Sequence, residues 1–261
     1  MKKALLTLSI AFLTLTTQAQ SFRVGLTGGV NSTWLLNENV FDANDELDVA
    51  STFGGRFGIE GIYSFNEKLG MSLGINFISK HNQKFTGEFE NSNQTLEART
   101  SLSYIDIPLL FRLTTAGGSY FEIGPQFGFL GGNSNDYELF DSNGDPLDDN
   151  YTGKSFDASY NSTNVALVFG FGADFDVSEN IYITTGLRLG YGFTDVTKQY
   201  DSLEDLNVAD LKDDSQISEL TYAAHFEDAG TTGIGPDEFS YAKTNRAFIG
   251  LNLGVSYKFT K

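Results

Sequence analysis

The chain contains no cysteine, two methionines, one tryptophan and four prolines among its 261 residues. Without cysteine there can be no disulfide bond, no thiolate metal site and no lipid attached through an N-terminal cysteine. Basic residues are also scarce, since 17 lysines and arginines stand against 34 aspartates and glutamates, for a formal charge of −17. Nucleic-acid binding depends on lysines and arginines that neutralise phosphates, so we expect no nucleic-acid partner.

Long hydrophobic runs are absent as well. The apolar stretch from Ala4 to Leu15 is too short for the roughly 20 residues of a spanning helix. It follows two lysines and is followed by the small residue Ala19, an arrangement typical of a cleavable signal peptide. We therefore expect residues 1–19 to be removed on export, and the mature protein to begin at Gln20 without a transmembrane helix.

Glycine, phenylalanine and tyrosine are abundant, at 28, 23 and 12 residues. This composition is typical of strands and turns rather than of helices. Single β-barrel domains commonly reach this length, so residues 20–261 are predicted to form one domain.

Apolar residues occupy every second position in eight segments, which is the period of a β-strand with two different faces. The clearest segment runs from Phe53 to Phe65, where apolar side chains alternate with glycine, arginine and glutamate. The eight segments lie near 22–31, 53–65, 69–80, 105–113, 121–129, 165–177, 181–193 and 249–259.

The connections between these segments alternate in length. Short connections occur at 66–68, 114–118 and 178–180, and long ones occur near 35–52, 81–99, 131–162 and 195–242. A soluble, lipocalin-like barrel would bury the apolar faces, whereas a membrane barrel would turn them towards lipid. Alternating short turns and long loops favour the membrane barrel, and glycine-rich polar faces suit the crowded interior of a small one.

The predicted fold is therefore all-β: a closed antiparallel transmembrane β-barrel of about eight strands with short periplasmic turns and long acidic outer loops. Such barrels reside in the bacterial outer membrane. Outer-membrane lipid is accordingly an expected partner of the apolar face.

Three motifs occur in order along the chain: SYIDIPLL from Ser103 to Leu110, GFGADF from Gly170 to Phe175, and GVSYKF from Gly254 to Phe259. Together they resemble the PorT-like outer-membrane barrels of Bacteroidota, which carry an outer membrane protein beta-barrel domain. The last motif also resembles the signal that the barrel assembly machinery recognises, with Gly254, Tyr257 and Phe259 in the expected positions. The resemblance thus implies this machinery as a partner during biogenesis.

Charged residues share the predicted inward face with glycine. Arg56, Glu60, Asp106 and Arg188 lie near mid-depth, and we predict that they form a mutually paired cluster. Arg112 and Glu122 are expected to approach each other across the turn near Gly117. An interior ion-pair network that fills the barrel is the preferred interpretation, because buried charges need partners. Gating or a conducting path is the alternative.

Sites for catalysis or metal binding are poorly supported. The only histidines, His81 and His225, fall in or near predicted outer loops, and Ser79 beside His81 is the nearest approach to a hydrolase pair. No G-x-S-x-G, H-E-x-x-H or phosphate-loop motif occurs. The acidic segment 141–149 suggests calcium, but its glycine stands fourth rather than sixth as in an EF-hand, and a solvated turn explains it equally well. We predict no catalytic residue, cofactor or metal.

Three functions stay open at this point. The long acidic loops and the absence of catalytic motifs favour a structural or surface-interaction barrel with an interior plugged by side chains and an unidentified surface partner. A narrow channel or a barrel associated with transport or secretion is the alternative. A lipid-modifying enzyme at the barrel rim is the third hypothesis.

Overall fold

A computed structural model describes residues 21–37, 47–50, 52–89, 94–147, 151–154, 160–198 and 243–259. The predicted signal peptide and most of the predicted 195–242 loop lie outside these residues. The described residues contain ten strands: β1 (Ser21–Leu36), β2 (Leu47–Ala50), β3 (Thr52–Ser64), β4 (Leu69–Phe89), β5 (Gln94–Thr114), β6 (Ser119–Phe140), β7 (Tyr151–Lys154), β8 (Thr163–Asp176), β9 (Ile181–Gly192) and β10 (Asn245–Phe259).

Eight of these strands form a closed ring in which each strand is antiparallel to both neighbours. The order around the ring is β1, β3, β4, β5, β6, β8, β9 and β10, and β10 pairs with β1 again. This closing seam runs without a register shift from Phe22 opposite Phe259 to Leu36 opposite Asn245. Closure removes free edges and pairs the backbone polar groups of the ring strands with one another. The prediction of an all-β, eight-stranded antiparallel barrel is confirmed.

Three tight connections lie at one end of the barrel, here called the turn end, together with the start of β1 and the end of β10. They join β3 to β4, β5 to β6 and β8 to β9, at the positions where the sequence predicts short turns. In the first turn Asn66 Oδ1 accepts the backbone N–H groups of Lys68 and Leu69, each at 2.9 Å. In the second, Gly118 has a φ of 82°, which glycine adopts at little cost.

The opposite end differs from the prediction, because most of the segment predicted as a loop near 81–99, and part of the one near 131–162, form strands. β4 continues to Phe89, β5 starts at Gln94 and β6 continues to Phe140. β2 pairs with β4, and β7 pairs with β6. These parts form a sheet that extends past the ring, in the order β2, β4, β5, β6, β7, and we call it the extension.

The sequence does not predict the strands of the extension, because their outward face is polar. On β4 the outward residues change from Ile75 and Phe77 to Lys80 and Lys84, so the alternation of apolar and polar residues disappears. Cross-strand pairs hold these strands together instead: Lys84 Nζ lies 2.6 Å from Glu97 Oε2. Polar strands of this kind resemble loops in sequence.

The two faces of the ring strands separate as the membrane interpretation requires. Outward-facing apolar side chains are exposed, including Leu73 at 53% and Leu251 at 56%, whereas the inward-facing positions are mostly glycine or buried polar residues. A soluble barrel would bury the apolar side chains instead. No helix among the described residues is long and apolar enough to cross a membrane.

Aromatic side chains border the apolar band at both ends. At the turn end, Phe22 stacks on Phe259 with centroids 6.2 Å apart, and Tyr63 meets Phe65 edge-on at 5.3 Å. At the other border Tyr191 meets Phe193 at 5.7 Å. Ten residues of strand at the usual tilt of about 40° span roughly 26 Å, which is close to the height of a lipid-facing band.

Candidate functional site: the barrel interior

The barrel interior is the best-defined candidate site, since most of the buried charge lies there. Within the described parts of the chain, five arginines and four acids point inwards, with side chains that are no more than 8% exposed where they form ion pairs. They are Arg23, Arg56, Arg112, Arg188, Arg246, Glu60, Asp106, Glu122 and Asp174. Strand alternation explains this placement, because each occupies the inward parity of its strand.

The lower network, nearer the turn end, centres on Arg188 of β9. Its Nε donates to Glu122 Oε1 and its Nη2 donates to Glu60 Oε1, each at 2.5 Å. Two strands, β10 and β1, separate β9 from β3 in the ring, so the bond to Glu60 crosses the interior. Arg188 therefore connects β9 with β6 on one side and with β3 across the interior.

The same network continues towards the turn end. Arg112 Nη1 lies 3.7 Å from Glu122 Oε2, and its Nη2 donates to Asp174 Oδ1 at 2.8 Å. Asp174 Oδ2 accepts from Arg23 Nη2 at 2.6 Å. Six charged side chains from six strands thus form one continuous chain, which offsets the desolvation of each.

The upper network, nearer the extension, centres on Asp106 of β5. Arg246 Nη2 of β10 donates to Asp106 Oδ1 at 2.6 Å, and Arg246 Nε donates to Asn164 Oδ1 at 2.6 Å. In the eight-membered ring β5 and β10 are four strands apart, so this ion pair joins opposite walls. The guanidinium also lies over the Tyr104 ring, 4.2 Å from its centroid.

Apolar side chains separate and cover the two networks. Leu110, Val168 and Phe248 form a buried cluster between them. A second cluster lies towards the extension, where Leu35, Leu102, Tyr104 and Val196 pack together with Leu130 and Tyr160. Along the barrel axis the interior is therefore filled in layers.

Inward-facing glycines make room for these large side chains. A Cβ on Gly170 would lie 2.5 Å from Glu122 Cγ, and one on Gly190 would lie 2.1 Å from Phe248 Cε1. A Cβ on Gly186 would lie 2.5 Å from the Tyr120 hydroxyl. The glycine-rich inward parity thus provides the space that the charged and aromatic side chains occupy.

The four residues predicted as one cluster are divided. Glu60 and Arg188 are in contact, but Asp106 pairs with Arg246, four strands away. Arg56 contacts neither acid: its Nε and Nη2 are buried and lack a hydrogen-bond partner. The position of each residue along its strand gives its approximate depth in the barrel. Its partner depends instead on the direction in which the side chain crosses the interior.

Two arginines of the networks were absent from the predicted set. Arg23 lies on the inward parity of β1, next to Phe22 and Val24, where the alternation alone marks it. Arg246 was missed because the last strand was predicted to start at Ile249, whereas β10 begins at Asn245. Arg246 lies four residues before Gly250 and therefore shares its inward parity, so a longer predicted strand would have placed Arg246 inside the barrel.

His81 is also placed differently from the prediction. It belongs to β4, is 1% exposed and points inwards, whereas the sequence suggested a position in or near an outer loop. Its ring packs edge-on against Tyr104 and Phe248, with centroids 5.8 and 5.7 Å away. The prediction was wrong because β4 continues to Phe89, beyond the last residues of its alternating apolar pattern. His225 lies outside the described residues.

Ser79, His81 and Asp106 have the residue types of a hydrolytic triad but not its geometry. Ser79 Oγ lies 3.2 Å from His81 Nε2, and Asp106 Oδ2 lies 3.7 Å from the same nitrogen. His81 Nδ1 is buried without a partner. A triad needs the serine and the acid on different ring nitrogens. The trio is suited to filling the interior rather than to acyl transfer.

The acidic segment 141–149, for which calcium binding and a solvated turn were the two interpretations, is a turn in its described part, up to Leu147. Asp141 Oδ1 accepts the backbone N–H groups of Asn143 and Asp145 at 2.8 and 2.9 Å. These bonds, the one from Asp145 first, hold the pKa of the Asp141 carboxyl below its usual value. Within the described ranges no group of three or more His, Cys, Asp or Glu residues could hold a metal. Asp148 and Asp149 lie outside those ranges.

Comparison with solved structures finds likenesses at low identity. The outer membrane protein OprG from Pseudomonas aeruginosa is 10% identical, with 95% of this chain and 99% of that chain covered and a TM-score of 0.38. Neisserial surface protein A is 13% identical, with 93% and 100% covered and a TM-score of 0.36. Ail of Yersinia pestis is 10% identical, with 91% and 98% covered and a TM-score of 0.31. Likenesses this weak do not define the function of the chain.

No curated protein matches the chain. The family described as outer membrane protein beta-barrel domain matches residues 18–198, which is more than half of the chain. This match agrees with the closed eight-stranded ring and its exposed apolar band. The chain belongs to this outer membrane protein beta-barrel family and is a β-barrel protein of the bacterial outer membrane.

Proposed function

We propose that the protein is a structural or surface-interaction barrel whose interior is closed to solutes by its own side chains. The observation that carries this proposal is the Arg246 to Asp106 ion pair, which joins opposite walls at 2.6 Å. The layers above and below it add to the obstruction. Eight strands leave an interior just wide enough for side chains.

A narrow channel, or a barrel associated with transport or secretion, is the competing function. Water and ions would then need a continuous path past the two networks and both apolar clusters. Apolar constrictions oppose such a path because they dewet readily. The cluster of Leu110, Val168 and Phe248 lies where a path would have to run.

An enzymatic function is disfavoured by the geometry around His81. Its trio with Ser79 and Asp106 lacks triad geometry, and each of the three residues is 2% exposed or less. A substrate would have no access to these groups. We therefore propose no catalytic residue, cofactor or metal.

The extension is the part of the protein that we assign to the cell exterior, since the long connections of such barrels face outwards. Its outward face carries both signs of charge, as in the pair of Lys84 with Glu97. A surface partner would meet this face. Outer-membrane lipid would surround the apolar band beneath it.

The finer family assignment and biogenesis are part of the same proposal. The motifs at 103–110, 170–175 and 254–259 support a PorT-like member of the family. Gly254, Tyr257 and Phe259 would serve as the signal for the barrel assembly machinery. Removal of residues 1–19 would precede assembly, so N-terminal sequencing of the outer-membrane form should start at Gln20, and recovery of Met1 would refute this step.

Swelling of proteoliposomes tests the closed interior. Vesicles that contain the purified barrel should not swell in isotonic arabinose any faster than protein-free vesicles. A general porin reconstituted in parallel provides the positive control. Swelling that increases with the amount of barrel in the membrane would contradict a closed interior and favour the channel.

A further inference from the structure

We propose that the barrel interior binds one small monovalent anion, of the size of chloride, at the guanidinium of Arg56. This binding goes beyond the proposed structural role, and it does not depend on the presence or absence of a surface partner. The distribution of charge inside the barrel is the first observation that points to it.

The buried charges inside the barrel do not balance. Five guanidinium groups face four carboxylates among the described residues, while the protein as a whole carries a formal charge of −17. Four of the arginines pair with an acid, and they are Arg23, Arg112, Arg188 and Arg246. Among these five described arginines only Arg56 forms no ion pair. The excess is therefore one positive charge, and it is located on Arg56.

Each acid around Arg56 already forms an ion pair with another arginine, although Glu122 Oε2, 3.7 Å from Arg112 Nη1, accepts no hydrogen bond. Glu60 and Glu122 Oε1 accept from Arg188, and Asp106 accepts from Arg246. All three interact electrostatically with Arg56 through space, but so does the guanidinium of Arg188, which repels it. A rotation of Arg56 towards one of these acids would compete with an existing ion pair and would leave the surplus charge in place.

The Arg56 side chain is buried, but its hydrogen-bond donors are not all paired. It is 6% exposed, and its Nε and Nη2 lack partners. The inward positions beside it carry small residues: Gly54 and Gly58 on the same strand, Gly29 opposite on β1 and Ser79 opposite on β4. These residues add no competing acceptor side chain apart from the Ser79 hydroxyl, which already contacts His81 at 3.2 Å.

A buried guanidinium without a partner is strongly unfavourable, so a counterion or hydrogen-bond acceptor should occupy its free N–H groups. Water would accept hydrogen bonds but would leave the charge uncompensated. A monovalent anion would satisfy both requirements. The filled interior limits its size to that of a halide or a similar ion.

The test is the anion dependence of thermal stability. The barrel is refolded in an uncharged detergent, and chloride is replaced stepwise by gluconate at constant ionic strength, since gluconate is too large for the interior. The unfolding midpoint is read from the heat-modified mobility on gels. Binding to the folded state alone should raise the midpoint by roughly 3–6 °C for each tenfold increase in chloride above its dissociation constant.

Variants locate the effect. Arg56→Gln removes the surplus charge and should abolish the chloride dependence, whereas Arg56→Lys should keep it. Arg99→Gln is the matched control, because Arg99 is an exposed arginine of the extension, and it should behave as the wild type. Equal midpoints of the wild type in chloride and gluconate, or an unchanged chloride dependence in Arg56→Gln, would overturn the proposal.

Crystals soaked in bromide provide a second measurement that needs no variant, should Arg56→Gln fail to fold. An anomalous peak within hydrogen-bond distance of the Arg56 guanidinium supports the site. Its absence from well-ordered wild-type crystals, with only water beside Arg56, overturns the proposal.

Discussion

At the scale of single residues, charged side chains and glycines occur together at the inward-facing positions of the strands. Glycines on other strands leave space for several of the charged side chains, as Gly170 does for Glu122 and Gly128 does for Asp106 and Arg246. The alternation in the sequence identifies such inward-facing residues. It does not identify their partners, since the partner depends on the stagger between strands and on side-chain direction. Asp106 illustrates this, because its partner Arg246 lies on the opposite wall.

The first prediction concerns this cross-wall pair. Asp106→Ala should destabilise the barrel by about 3–5 kcal/mol, because it leaves the Arg246 guanidinium buried without its carboxylate. The double variant Asp106→Ala/Arg246→Ala should recover part of this loss, and the coupling is measured as a double-mutant cycle of urea unfolding.

The half-buried surface pair of Lys84 and Glu97 is the control for that cycle. Its coupling should be no more than about 1 kcal/mol, because water screens the two charges. Additive effects of Asp106→Ala and Arg246→Ala would mean that water, rather than the partner, solvates the interior charges.

At the scale of elements, the apolar alternation predicts the ring strands and their faces but not the ends of the strands. Within the lipid-facing band one parity must be apolar, so the pattern is strong. In the extension the outward face is polar, and strand pairing is supported by cross-strand bonds such as that from Thr100 Oγ1 to Asn135 Oδ1 at 2.9 Å. Bonds of this kind leave no periodic signal, so β4, β5 and β6 are longer than predicted.

The second prediction concerns the closing seam between β1 and β10. A Cβ on Gly25 would lie 2.1 Å from the backbone oxygen of Val255, so Gly25→Ala should force the two strands apart. Refolding into lipid should become slower and the unfolding midpoint should fall by several degrees.

Gly132→Ala is the matched substitution, since nothing lies within 4 Å of the added Cβ. It should refold like the wild type. If Gly25→Ala and Gly132→Ala were indistinguishable, the close approach of β1 to β10 would not be needed for closure.

The third prediction concerns the two faces. Single cysteines are placed at six outward positions of the apolar band, in a protein that has no cysteine of its own. They should react with lipid-soluble reagents and resist aqueous ones, because these positions contact acyl chains. The positions are Phe57, Leu73, Phe111, Phe171, Leu187 and Leu251.

A cysteine at Lys80, an exposed position on β4 beyond Phe77, should show the reverse selectivity in intact cells. Aqueous labelling of the six band positions would contradict the assignment of this face to lipid.

At the scale of the whole molecule, a strongly acidic protein encloses an interior in which, among the residues that the structure describes, positive charges outnumber negative ones. Ion pairs between distant strands hold the walls together, and apolar clusters separate the charged layers. The sequence could predict an interior of paired charges, but the proposed closure of the lumen depends on contacts such as Arg246 with Asp106, which only the folded ring brings together. A barrel filled in this way should act through its outer surface rather than through a pore.

Single-channel recording in planar lipid bilayers tests this closure most directly. The wild-type barrel should show no steady conductance above the protein-free membrane, whereas removal of three side chains that obstruct the interior, in Asp106→Ala/Arg246→Ala/Phe248→Ala, should produce measurable openings. A large, steady conductance of the wild-type protein would contradict a lumen closed by its own side chains.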